Sequence, residues 1–474
     1  MTDVLPGGWE MVVGLEVHAE LHTATKIFCS CPNRFGDEPN TNVCPVCLGL
    51  PGSLPVLNRQ VVELAIRLGE ALHCEVRPSV FHRKNYFYPD MPKDYQVSQY
   101  DQPINTQGWL ELPSGKRIGI TRAHLEEDTG KSVHEGTTGR LHGSEGSLVD
   151  YNRAGVPLLE IVGEPDIADP DEARQYVTEL RAILLATGVS DAKMEEGSMR
   201  VDANVSVRRA GEPFGTRCEI KNLNSIRSLG RAIEYEARRQ VDLLESGGRV
   251  RQETRHWDEG DGRTHTLRVK EDADDYRYFP EPDLVPVAPD AEWLGRVMAS
   301  LPMLPAARRA RLADLAGLAH DAEAVVLVVD RGQDELVLAT VEAGGDIART
   351  MVHVEHNLAP DAAIAPARLA ALTRLEVAGT LTATQAKQVL ADIVAAGGDA
   401  DPAQVAADRG FEAMDTSALE AAVDAAIAAQ PDAWAKYCGG EEKAAGALVG
   451  AVMKATKGQA DGKAVTALLQ ARRG

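Results

Sequence analysis

Aromatic residues run out where the chain changes character, and that break limits the fold more than any other feature. Of the 22 Phe, Trp and Tyr, 19 lie in residues 1–293 and three in the remaining 181. The first part is rich in Gly, Pro and short alternating apolar/polar runs, the pattern of half-buried strands. The later part is Ala-Leu-Val rich at helical spacing, as in Leu369, Leu372, Leu375 and Val377. A second break falls where Gly397, Gly398, Asp399, Asp401 and Pro402 cluster as helix-stop and turn residues. A mixed α+β part, a helical part and a small helical tail are therefore expected, and 474 residues exceed what one core serves.

Composition excludes several classes. The longest apolar run, near Val325–Val329, is far short of a membrane span. The start has an acid at Asp3 and lacks the basic opening of a secretory signal, so the chain reads as cytoplasmic. Seven cysteines are too few and too odd in number for a disulfide scaffold. A net charge of −21 disfavours a chain coated in nucleic acid, yet the sign reverses locally. Seven bases against three acids give residues 436–474 a net +4, which leaves −25 for the first 435. That tail is either a solvated helical face or a contact for phosphate backbones.

The sharpest spacing is Cys29-Ser-Cys31 followed by Cys44-Pro-Val-Cys47, two close pairs on turn-like segments, which suits four thiolates around a structural zinc. The alternative is four reduced thiols without metal. Cys74, Cys218 and Cys438 read as structural.

Strands with acids come next. In Val13–Leu21, alternation sets Glu16, His18 and Glu20 opposite Leu15, Val17 and Ala19. Asp202 and Asn204 oppose Val201, Ala203 and Val205, and Glu219 and Lys221 share a face. Glu160 stands alone inside the apolar run Leu158–Val162, and Glu126-Glu127-Asp128 is an acidic cluster. One such strand is ordinarily a half-solvated sheet face. Several acids and an imidazole converging would instead form a site for Mg²⁺, completed by phosphates, and so point to phosphoryl transfer. Gly130-Lys131-Ser132 is rejected as a P-loop, because Leu125 occupies the place of its first glycine. No G-x-S-x-G elbow is present. Arg83–Asp90 and Asp274–Glu281 interleave bases with rings, which suits either nucleobase stacking or a packed domain seam.

Taken together, the chain resembles the B-subunit family of the glutamyl-tRNA(Gln)/aspartyl-tRNA(Asn) amidotransferases from end to end. The segments that carry the resemblance are Val13–His18, Arg83–Asp90, Leu125–Asp128, Val149–Arg153, Met194–Ser198, Glu219–Asn224, Asp275–Asp283 and Gly450–Gly458. It implies a heterotrimer with a glutamine-hydrolysing A subunit and a C subunit. ATP would phosphorylate the side chain of Glu or Asp on mischarged tRNA, and channelled ammonia would displace the phosphate. The residues carried over as catalytic and Mg²⁺-binding are Glu16, His18, Glu127 and Glu160. Glu126, Asp202, Glu219 and Lys221 are placed near substrate or phosphate, and Lys454, Lys457 and Lys463 on the tRNA-binding tail.

The resulting expectation is an α+β protein: an antiparallel-sheet cradle domain over 1–294 with a four-cysteine knuckle at 29–47, an all-helical domain over 295–405, and a tRNA-contacting tail over 406–474. A zinc-knuckle RNA-binding subunit without catalytic duty and a stand-alone metal hydrolase using Glu16 and His18 are the competing readings.

Overall fold

A computed structural model of the chain describes residues 5–135, 146–269, 276–411, 416–456, 460 and 462–473. It divides into two units, Met1–Ala306 and Ala307–Gly474.

The first unit is built on a large mixed-order sheet. Its strands are β1 (Trp9–Glu20), β2 (Glu75–Val76), β3 (Val80–Asn85), β4 (Tyr95–Gln102), β5 (Asn105–Glu111) and β6 (Arg117–Glu127). A small separate hairpin follows, β7 (Lys131–Glu135) with β8 (Gly146–Asp150). The main sheet resumes with β9 (Pro157–Gly163), β10 (Met199–Arg209), β11 (Cys218–Lys221), β12 (Glu253–Asp258), β13 (Arg263–Val269) and β14 (Phe279–Pro280). Spatial order is β13-β12-β11-β10-β1-β9-β6-β4-β3-β14, with β5 and β2 branching from β6. Among the described residues the paired strands run antiparallel except β11 and β12, which are parallel. A parallel pair needs a crossover, and the helix α3 described below supplies it.

Three helices cover the apolar face: α1 (Arg59–Ala71), α2 (Pro170–Ala186) and α3 (Ile226–Glu245). Each begins at a side-chain cap, Asn58, Asp169 and Ser225, that accepts a bond from an otherwise orphaned backbone N–H. Val13, Leu15, Val17 and Ala19 of β1 join Val201, Ala203 and Val205 of β10 in the core beneath them. The polar alternates are left on the opposite face, which positions the candidate site.

Packing does not break where composition does. A fourth helix, α4 (Ala291–Ala299), belongs to the first unit although 294 is the expected boundary. Its Trp293 donates to Glu63 of α1 at 3.2 Å and lies under the Arg59 guanidinium. In the second unit one helical core runs from Leu312 to Ala406 with Phe411 packed on it, so the helix Pro402–Asp408 completes this core rather than opening the tail at 406. A second core holds Leu419, Val423, Tyr437, Leu448, Val452, Val465 and Leu469. There Arg472 pairs with Asp424 and Arg473 with Glu442, so part of the basic excess is matched within the tail. Cys74 and Cys218 are buried as expected of structural cysteines, whereas Cys438 is exposed. Among the described residues no helix is long and apolar enough to cross a membrane.

A Cβ at Gly69 of α1 would overlap the buried Asn105 side chain, whose Nδ2 donates to the Ala65 carbonyl at 2.9 Å. Gly69→Ala should therefore destabilise the chain by about 1–3 kcal/mol despite alanine's better helix propensity. Denaturant unfolding checks this, and adding Asn105→Ala should remove the clash.

Candidate active site and metal centres

Residues directly opposite one another in a sheet share a face, so register decides which polar side chains meet. His18 of β1 is opposite Glu160 of β9 on one side and Arg200 of β10 on the other, and Glu160 is opposite His124 of β6. Two residues along β1, Glu16 is opposite Asp202. Lys221 of β11 reaches Asp202 at 2.6 Å and Glu219 at 2.9 Å, and Thr254 donates to Glu219 at 2.9 Å. These contacts carry the polar face over six neighbouring strands.

At its centre the His18 Nε2 lies 3.6 Å from Glu160 and 3.9 Å from Glu126. One ligand atom from each of His18, Glu126 and Glu160 falls within 4.8 Å of the others. His124 lies against the same carboxylates, 3.6 Å from Glu160. Burial pushes the Glu126 carboxyl up to about 7, and the Glu160 charge adds to it. Burial also opposes ionisation of Glu160, but the imidazoles of His124 and His18 outweigh it and hold that carboxyl below the usual range. Glu16 is raised by burial and by the charges of Glu160, Glu219 and Asp202; its Oε1 accepts from Asn204 at 2.9 Å, and it stands outside the three-residue group. Two carboxylates and one imidazole around an open position suit a hard divalent cation that keeps waters for substrate to replace.

A cavity of about 480 Å³ opens from this cluster, lined among others by His18, Glu126, Arg153, Arg200, Lys221 and Asn224. Asp128 fixes two of its cations: Arg200 donates to it at 2.9 Å and Arg153 lies at 3.6 Å. Burial works against the Lys221 ammonium, yet Asp202 and Glu219 outweigh it and keep the group above its ordinary range. Positive charge is thus fixed beside a carboxylate cluster, an arrangement able to hold phosphate and cation together.

Glu127 departs from expectation. Neighbours on a strand face opposite ways, so Glu126 joins the cluster and Glu127 points through the sheet. There it pairs with Lys93, accepts from the Val97 N–H at 2.8 Å, and lines a separate cavity of about 210 Å³ with Cys29, Cys47, Arg83 and Glu281. The strand frame His124-x-Glu126-x-Asp128 was the available signal. Asn204 falls on a polar strand face and Arg153 in a segment that carries the resemblance, but the sequence assigns neither them nor Arg200 to the site, because pairing between elements distant along the chain brings them in.

Cys29, Cys31, Cys44 and Cys47 converge as spacing predicts, with one sulfur from each inside 4.8 Å. The Cys47 thiol is pushed down to about 5 by a hydrogen bond from Cys29, with burial opposing and Lys26 assisting. Four sulfurs in such a group fit a tetrahedral thiophilic metal. Lys454 is exposed on the helix Ala445–Ala455. Lys457 and the Lys463 side chain lie outside the described residues.

The first unit is therefore a sheet-borne catalytic-type domain with a candidate cation site on one face and a thiol cluster beside it. Residues 11–295 match the sequence profile of the GatB/GatE catalytic domain, and residues 343–472 that of the GatB domain. The B subunit of the aspartyl/glutamyl-tRNA(Asn/Gln) amidotransferase from Frankia casuarinae is 52% identical over all of this chain and 97% of its own length. The same-named protein of Mycobacterium sp. strain KMS is 54% identical over 98% of this chain and 96% of its own. That of Salinispora tropica is 51% identical over 100% and 99%. The chain belongs to the family of tRNA-dependent amidotransferase B subunits.

If the thiol cluster holds zinc, the purified chain should contain about one equivalent by elemental analysis, and Cys44→Ser should lose it together with thermal stability. Equal metal content in the variant would assign the zinc elsewhere.

Proposed function

We propose that this protein activates the side-chain carboxylate of Glu-tRNA(Gln) or Asp-tRNA(Asn) with ATP and then amidates it. The observation that carries this reading is the His18–Glu126–Glu160 cluster opening into a cavity with Arg153, Arg200 and Lys221. A carboxylate is a poor electrophile because it has no leaving group. Its attack on the γ-phosphorus of ATP releases ADP and gives an acyl phosphate, and ammonia then expels phosphate to leave the amide.

In this mechanism His18, Glu126 and Glu160 would hold Mg²⁺, which would supply charge compensation for a triphosphate meeting a second anion. Lys221, Arg200 and Arg153 orient the phosphates. Glu16, held above the ordinary carboxylate range, takes the proton that ammonium must lose before it can attack. Ammonia is supplied by the glutamine-hydrolysing A subunit of a heterotrimer that includes a C subunit. Zinc at Cys29, Cys31, Cys44 and Cys47 is structural, and the tail with Lys454, Lys457 and Lys463 grips tRNA in the cytoplasm.

His18→Ala or Glu160→Gln should leave glutaminase activity of the assembled complex largely intact and reduce ATP-dependent amide formation by at least a hundredfold, measured on mischarged tRNA with glutamine. Amidation at the wild-type rate would defeat the assignment. Removing residues 436–474 should weaken tRNA affinity and flatten its salt dependence, because phosphate contacts release counterions; filter binding across a salt series reads both.

A further inference from the structure

The two aromatic segments noted in the sequence become one edge of the sheet. Phe279 of β14 is opposite Arg83 of β3, and Asn85 holds the Tyr276 carbonyl through both its backbone N–H at 3.0 Å and its Nδ2 at 2.9 Å. Tyr278 stacks on Tyr100 with centroids 5.1 Å apart and planes 15° apart, and Tyr276 meets Tyr278 edge-on at 6.0 Å. Cations sit over these rings: Arg122 at 4.7 Å from Tyr100 and Lys84 at 4.9 Å from Tyr276. The surface stays open, since Tyr100 is 46% exposed and Phe87, next along from β3, is 72% exposed. It also adjoins the carboxylate cluster: Tyr100 packs edge-on against His124 at 6.3 Å, and Arg122 comes within 3.9 Å of Glu160.

We propose that this tyrosine edge is the platform on which the unpaired bases at the 3′ end of the substrate tRNA stack, so that the aminoacyl group is delivered to the carboxylate cluster. The inference rests on the functional reading above. Successive rings with sparse cations match a single strand, whose bases offer π faces and whose phosphates are spread along the chain. A nucleoside triphosphate needs the reverse, one base and concentrated positive charge, and Arg153, Arg200 and Lys221 provide that in the cavity lined by the other side of the cluster. A seam between packed elements would have covered Tyr100 and Phe87, whereas here those two are exposed and Tyr276 and Tyr278 are half-buried.

Binding of the full-length chain to intact tRNA and to tRNA trimmed of its three terminal nucleotides tests the proposal. Wild type should bind the intact form roughly tenfold or more tightly, the range that base–aromatic stacking spans. Tyr100→Ala and Tyr278→Ala should abolish that preference, Tyr100→Phe should keep it, and ATP affinity should be the same in all four proteins. A preference that survives in both alanine variants overturns the platform, and weakened ATP binding with the preference intact assigns the edge to the nucleotide's adenine instead. Should the alanine variants fail to fold, 2-aminopurine in place of the terminal adenine reports directly on wild type: quenching on binding is expected, and undiminished fluorescence overturns the proposal. Failure of the catalytic reading would show separately, as amidation retained in Glu160→Gln while the preference for intact tRNA persists.

Discussion

Strand β1 is hydrogen-bonded on both sides, to β9 and to β10, and the candidate site depends on that double registration. One strand contributes Glu16 and His18, but neither makes a site alone. Register with β9 brings Glu160 across from His18, and β6 beyond it adds Glu126 and His124. Slipping either pairing by one residue would turn every carboxylate into the apolar core beneath α1, α2 and α3. The core therefore enforces the site, because Val13, Leu15, Val17 and Ala19 have no other face to occupy.

Crowding several carboxylates on a partly buried surface costs stability unless positive charge answers them. The chain answers in two ways. Asp202 and Glu219 are matched by Lys221, and Asp128 by Arg200 and Arg153. At the centre, Glu126 and Glu160 lie against two imidazoles, with the Arg122 guanidinium 3.9 Å from Glu160, and retain perturbed protonation, the condition under which a bound cation is favoured. The same sheet keeps a second environment on its other face, where Glu127 and Lys93 share a small cavity with two of the cluster cysteines.

Much of this is legible along the chain. Alternation in Val13–Leu21 and Val201–Val207 correctly separates core from polar face, and the close spacing of the cysteine pairs predicts their convergence. The frame of Glu126 and Glu127 is not legible in the sequence, where Glu127 enters only with the resemblance: a run of three acids hides its own alternation, and only the register with β9 shows which carboxylate shares the face of Glu160. Composition likewise marks the change from sheet to helices near 294, but α4 stays with the first unit because Trp293 and Val297 pack there.

The sequence by itself determined the local choices: which runs are strands, which of their residues are apolar, where helices cap and stop, and where four thiols lie close enough to meet. These follow from interactions among near neighbours. Tertiary structure decided which polar faces lie side by side, which of Glu126 and Glu127 joins His18, and that two aromatic segments nearly two hundred residues apart form one edge. Those outcomes rest on pairing between distant strands, and pairing is set by burial of the whole core rather than by any segment's own pattern.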